Sequence, residues 1–402
     1  MPPDTAAPAV TIASPLAHVE RARPDVRLLS LLALGHMVVD INQGALAALL
    51  PFLKTALALS YTATGIIVLT SNVTSSLIQP LFGYLADKTA RRWLLPASVL
   101  LSAIGLGAMG LAPSYGAILA LVLVMGLGVA AYHPEGYRTA SAVAGDRKVT
   151  GVSVFSTGGN IGIAVGPPLM TALVTGFGLP GTMGLLVPGL VAAALLAAVL
   201  PMLSAPAPAR ARSAAAAPRT MVRAMSLLIV VIAARSWTQL GFTTYVPFYY
   251  LDVLKGDPRM VGTLLAIFLG AGALGTLIAG PIADRVGVKR FVVWVFLLTA
   301  PVAAAFLFSS GVLSLVLLGA LGFVLVSTFT ASIVLGQAYM PRNPGLASGL
   351  IVGFATGAGG LGVTGLGWVA DHWGLMASLW ISALIPLAAF VLALFLPEPR
   401  AR

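Results

Sequence analysis

Cysteine is absent from the 402 residues, and charge is scarce, with Asp, Glu, Lys and Arg making up 9% of the chain. The first absence excludes disulfides and thiolate-held metal sites. The second excludes a water-facing globular surface, because soluble domains carry about 25% charged residues. No glycine loop with a following P-loop lysine is present, which argues against ATP as a driving force. The four histidines form no two-histidine helical zinc pattern, so no metal, cofactor or enzymatic centre is expected. What fills the chain is apolar: 58% of residues are hydrophobic and the mean hydropathy is +0.99. Such a chain is a polytopic membrane protein.

A membrane-crossing helix needs roughly 20 mostly apolar residues. Twelve such segments are predicted, at about 28–51, 61–85, 93–112, 115–141, 150–175, 180–202, 223–251, 259–283, 290–310, 313–338, 345–370 and 374–396. The Pro/Ala-rich residues 1–26 read as a disordered cytoplasmic tail without a cleavable signal. "SAPAPARARSAAAAPRT" has no apolar period and reads as a cytoplasmic linker, 204–222, between six-helix units at 27–203 and 223–397. Basic residues exceed acidic ones, 23 to 12, and the pI is about 10.3. Of the 23, 18 lie in the tails and in loops after even-numbered helices. That bias is a membrane-orientation signal and not a nucleic-acid face, and it places both termini in the cytoplasm.

The halves echo one another. "GYLADKTARR" from Gly83 matches "GPIADRVGVKR" from Gly280, "LLPFLK" near Pro51 matches "YVPFYY" near Pro247, and "FSTGGNIG" from Phe155 matches "FATGAGGLG" from Phe354. A duplicated six-helix unit is the architecture of a secondary transporter that alternates access around a central site.

The paired loops resemble the signature loop of the major facilitator superfamily, G-x-x-x-D-[RK]-x-G-x-[RK]-[RK]. Gly280, Asp284, Arg285, Gly287, Lys289 and Arg290 fit it; Gly83, Asp87, Lys88, Arg91 and Arg92 fit it with Ala90 near the second glycine position and one residue fewer. The resemblance implies an all-α fold of two pseudo-symmetric six-helix bundles. It also implies that these loops are conformational machinery, the aspartate contacting a neighbouring helix end. "GHMVVDINQGALAALLPFLK", "YHPEGYRTAS" and "GGNIGIAVGPPL" further resemble the fosmidomycin-resistance drug exporters. That narrower resemblance implies proton-driven antiport of a small phosphonate-type anion from the bacterial cytoplasmic membrane. The antiporter motif G-x-x-x-G-P-x-x-G-G of helix 5 is partly kept, but Met170 and Thr171 replace the trailing glycines.

Ionisable side chains near the bilayer centre cost at least ~2.5–3.5 kcal/mol on insertion scales, so each needs a reason. Here they fall in helix 1 (His36, Asp40), helix 4 (His133, Glu135, Arg138) and helix 7 (Arg235). In the resembling superfamily, helices 1, 4, 7 and 10 line the central cavity. His36 and Asp40, four apart, share one helix face. Asp40 is the expected proton carrier with His36 as relay or substrate contact; alternatively the two bond each other and fix helix 1. Glu135 is a second candidate for proton coupling, or else pairs with Arg138 as a structural charge pair at a gate. His133 and Asn160 are candidate substrate contacts. Arg235 can grip phosphate or carboxylate bidentately, or pair with Asp40 or Glu135. Gln239, Tyr245 and Tyr249 follow it at helical spacing, suited to an organic substrate or simply to packing.

The expected partners are a small-molecule substrate, protons and the lipid bilayer, with no nucleic acid, and the chain is expected to be monomeric. A proton symporter importing a sugar, organic acid or metal chelate uses the same fold, and a non-transporting sensor or scaffold is the reading from another class.

Overall fold

The computed structural model describes residues 25–82, 91–145, 148–203, 221–355 and 357–398. Residues 1–24 of the tail, the loop residues Gly83, Asp87 and Lys88, and linker residues 204–220 lie outside the described residues.

Twelve helices long and apolar enough to cross a membrane follow one another: α1 (Val26–Leu57), α2 (Tyr61–Phe82), α3 (Leu94–Leu111), α4 (Tyr115–Val143), α5 (Gly151–Phe177), α6 (Leu179–Met202), α7 (Val222–Val253), α8 (Pro258–Val286), α9 (Val288–Phe308), α10 (Gly311–Tyr339), α11 (Leu346–Trp373) and α12 (Leu375–Leu394). In lipid every backbone polar group must be satisfied within the segment, which leaves the helix as the natural element for such runs. Local chemistry sets several ends. Asp25 accepts from the backbone N–H of Leu28 at 3.1 Å and Ser60 from that of Ala63 at 3.0 Å, each capping a helix start. Gly287, at φ 91°, turns the chain between α8 and α9, a conformation open to glycine and few others.

The helices pack as two pseudo-symmetric groups of six. One buried apolar cluster draws only on the first six helices and their flanks, around Leu32, Val99 and Tyr132. A second draws only on the last six, around Leu228, Phe296 and Leu335. A third, around Leu49, Phe242 and Leu265, bridges them. Within the first group α1 and α5 cross as closely as backbones allow. A Cβ on Gly158, Gly162 or Gly166 would stand 2.1, 2.2 and 2.3 Å from the carbonyl oxygens of Ala33, Met37 and Ile41. This small-residue stripe at a spacing of four is the usual means of close approach in membranes.

Two seams join the groups. In one, α2 meets α11, where a Cβ on Gly65 would lie 2.9 Å from the Thr364 Cα and one on Gly367 would lie 2.6 Å from the Tyr61 carbonyl oxygen. Each of these helices carries a π-helical turn, Val73–Leu77 in α2 and Leu350–Ala355 in α11, and the two turns contact each other. In the other seam α5 meets α8, with Gly262 against Pro168.

Candidate transport site

Three polar side chains of the first group converge. His36 and Asp40 sit one turn apart on α1, and His133 comes from α4. His36 Nε2 lies 3.3 Å from Asp40 Oδ2, and His133 Nε2 lies 3.4 Å from Asp40 Oδ1. The Nδ1 atom of His36 is 2.8 Å from the Phe155 carbonyl, and that of His133 is 2.9 Å from the Val129 carbonyl. A carbonyl only accepts, so both Nδ1 atoms carry the proton and donate. His36 and Asp40 are buried, and the His133 side chain is 16% exposed. The Phe155 ring stacks on His36 with centroids 4.2 Å apart, and Tyr137 meets it edge-on at 5.9 Å. Gly159 of α5 forms the wall, where a Cβ would stand 2.5 Å from Asp40 Oδ2 and 2.6 Å from the His36 ring.

Arg235 occupies the second group, at 1% exposure. Its Nε donates to the Thr328 hydroxyl at 3.0 Å and the Leu325 carbonyl at 3.3 Å, both on α10, and the Phe329 ring lies 5.5 Å from its Cζ. Among the described residues the terminal amino groups of this guanidinium have no hydrogen-bond partner and no carboxylate lies within ion-pair distance. The alternative in which Arg235 pairs with Asp40 or Glu135 is therefore not what the fold builds. Asp40 is engaged by two imidazoles of its own group, and Arg235 by α10 of the other.

The remaining residues singled out by sequence divide. Glu135 is wholly buried, and neither of its oxygens has a hydrogen-bond partner among the described residues. No ion pair joins it to Arg138, which sits half-buried while Glu135 is enclosed. Pro134 lies inside α4, which runs on through it. Asn160 is exposed on the same side of α5 as Ser153 and Thr157. Gln239 and Tyr249 are half-buried. Tyr245 is enclosed and donates its hydroxyl to the Val363 carbonyl at 2.6 Å, so that hydroxyl ties α7 to α11. Of the signature loops, Asp284, Arg285, Gly287 and Arg290 are exposed, Gly280 and Arg92 are half-buried and Arg91 is exposed.

Sequence reasoning overlooked a second polar cluster, at the end of the molecule remote from the termini. Asp371 of α11 accepts from the backbone N–H groups of Tyr61 and Thr62, at 2.8 and 2.9 Å, and from the Thr62 hydroxyl. It thereby caps the start of α2 from the other group of helices, where the helix dipole also favours a carboxylate. Beside it Asp252 of α7 accepts from the Tyr61 hydroxyl at 2.6 Å and pairs with Lys54 of α1 at 3.3 Å. The signal available in sequence was the charge itself. Asp252 and Asp371 are acidic residues at helix ends, and nothing in their spacing names their partners. Tyr137 and Phe155 were overlooked too, although Tyr137 lies one helical turn beyond His133.

Two matched helical groups with a buried polar site in each, and a latch across one end, define a multi-pass membrane transporter. The Major Facilitator Superfamily family model matches residues 32–257 and 240–402, and the chain belongs to that superfamily. It is 32% identical to the fosmidomycin resistance protein of Escherichia coli (strain K12) over 400 residues, covering 97% of each chain. It is 33% identical to YfnC, an uncharacterized transporter of the same superfamily from Bacillus subtilis (strain 168), over 97% of this chain and 98% of that one. Among solved structures it is similar to a bacterial homologue of the human lysosomal transporter Spinster in an inward-facing, occupied conformation. The TM-score is 0.78 at 14% identity, covering 92% of this chain and 96% of that one. The nucleoside transporter NupG is similar as well, with a TM-score of 0.74 at 16% identity, covering 92% and 99%.

Proposed function

We propose that this transporter exports a small anionic organic compound, of the fosmidomycin kind, in exchange for protons across a bacterial cytoplasmic membrane, with both termini in the cytoplasm. Arg235 carries the reading. A guanidinium buried in a membrane protein with its terminal donors uncommitted is a costly arrangement unless an anion completes it. A phosphonate or carboxylate can accept two parallel N–H bonds from those donors. Gln239, half-buried one turn along α7, and the exposed polar side of α5 at Ser153, Thr157 and Asn160 offer hydrogen bonds for the rest of a small organic molecule. The resistance function in the name of the Escherichia coli relative, aligned over nearly the whole chain, supports export of such a compound. The basic bias of the tails and the loops after even-numbered helices supports the orientation.

With the termini inside, the Asp371–Thr62 and Lys54–Asp252 contacts lie on the external face and hold that face shut. The binding groups then communicate with the cytoplasm, as loading of an export substrate requires. Inside-out vesicles with an imposed acid interior should accumulate a labelled phosphonate, and accumulation should stop when a protonophore collapses the gradient. Uptake that ignores the gradient overturns the proton exchange, and uptake of neutral analogues equal to that of the anion overturns the substrate class.

A further inference from the structure

Both imidazoles of the α1–α4 cluster spend their Nδ1 proton on a backbone carbonyl, so both Nε2 atoms turn toward Asp40. In neutral imidazoles these are lone pairs aimed at carboxylate oxygens, an arrangement that repels unless something positive sits among them. The positive charge is supplied by a proton on an imidazole or by a bound cation, and a charge-assisted hydrogen bond has heavy atoms about 2.7–2.9 Å apart. The separations here are 3.3 and 3.4 Å. The two contacts end on different oxygens of the one carboxylate, Oδ2 for His36 and Oδ1 for His133, so the carboxylate bridges the two imidazoles around a shared space. The three ligand atoms all lie within 4.8 Å of one another, and Asp40 Oδ1 has no hydrogen-bond partner among the described residues.

We propose that His36, Asp40 and His133 form a binding site for a first-row divalent transition-metal cation. Two imidazoles and one carboxylate suit Zn²⁺, Co²⁺ or Ni²⁺, whereas Mg²⁺ and Ca²⁺ want an oxygen cage that these residues do not supply. The Nδ1–H to carbonyl bonds are the outer shell that orients metal-ligating histidines. The stacked Phe155 ring fixes the His36 plane, and the glycine at position 159 leaves the metal side of the cluster free of a Cβ. Three protein ligands leave at least one position for water or a donor atom of a transported molecule, and the partly exposed His133 marks the approach. No pattern within one helix announces this set, because its two histidines arrive from α1 and α4 and meet only in the folded chain. Metal and proton occupancy exclude each other here, since both use the same Nε2 lone pairs.

The test uses the full-length transporter in detergent, freed of any histidine tag and treated with chelator, with Co²⁺ as the optical probe and Zn²⁺ as competitor. One Co²⁺ per chain is expected to bind with the visible ligand-field band of a four- or five-coordinate ion and to be displaced by Zn²⁺. Asp40→Asn and His133→Gln should each weaken binding at least about tenfold, given that even outer-shell changes cost 10–100-fold. His372→Gln, at an exposed histidine on α11, should leave it unchanged. Circular dichroism confirms that the variants are folded; if neither is, X-ray absorption of the Zn²⁺-loaded native chain decides, two imidazoles and a carboxylate oxygen supporting the site and any other ligand set overturning it. Absence of binding, or binding lost in His372→Gln and kept in the other two, likewise overturns the proposal.

Discussion

A guanidinium has five N–H donors, and at Arg235 the hydrogen bonds made to described residues all come from Nε, to Thr328 and Leu325. In the proposed reading the remaining donors hold the anion, and they set how substitutions should behave. Charge-assisted hydrogen bonds contribute about 1.5–3 kcal/mol each, equivalent to about 10- to 150-fold in affinity. Arg235→Ala should therefore raise the apparent KM for the anion by at least tenfold in vesicle uptake, and Arg235→Lys should recover part of the loss by keeping the charge without the fork. Equal transport by all three forms removes Arg235 from the binding site. The sequence showed this residue readily, because an arginine inside an apolar span stands out. Its neighbours it did not show, because Thr328 and Leu325 lie on another helix and look like ordinary membrane residues.

Gly158, Gly162 and Gly166 make α5 a partner for α1. Each removes a side chain where the facing carbonyl leaves no room, and together they hold α5 at the distance that brings Phe155 onto His36 and Gly159 beside Asp40. Overpacking a tight contact costs typically about 1–3 kcal/mol. Gly162→Leu should exceed the upper end, since the clash is with backbone, and should lower the thermal unfolding midpoint in detergent by several degrees, together with loss of transport. A melting curve identical to the native one contradicts this close crossing. The stripe itself was legible, as "GGNIGIAVG" announces small residues at a spacing of four. Which helix it packs against was not, since the α1 atoms that meet it are the carbonyls of Ala33, Met37 and Ile41, and every residue carries a carbonyl. The same limit applies to α4. Glu135 and Arg138 are close enough in sequence to pair, yet packing encloses one and leaves the other half-exposed.

For the molecule as a whole, the Asp371 cap on α2 and the Lys54–Asp252 pair are bonds between the two helical groups, so they hold one face together only in one arrangement of those groups. Asp371→Asn keeps an acceptor but removes the negative charge that the α2 N-terminus favours, worth about 0.3–1 kcal/mol, enough to shift a balanced two-state equilibrium about 2- to 5-fold. Because the chain has no cysteine, spin labels can be placed at single introduced cysteines without prior removal of native ones. Labels at the remote ends of α1 and α7 should show a larger population of long distances in Asp371→Asn than in the native protein. An unchanged distribution excludes the latch.

Composition and apolar runs alone determined the twelve segments long and apolar enough to cross a membrane that the described residues form as helices, because the free energy of burying residues in lipid is summed locally over each segment. The duplicated motifs likewise exposed the two-fold plan, since repetition is a property of the chain itself. Only the tertiary structure decided that His133 joins His36 and Asp40, that Arg235 stays apart from them, and that Asp371 caps a helix of the opposite group. Those outcomes depend on distances between helices far apart in the chain, which packing sets and no local pattern encodes.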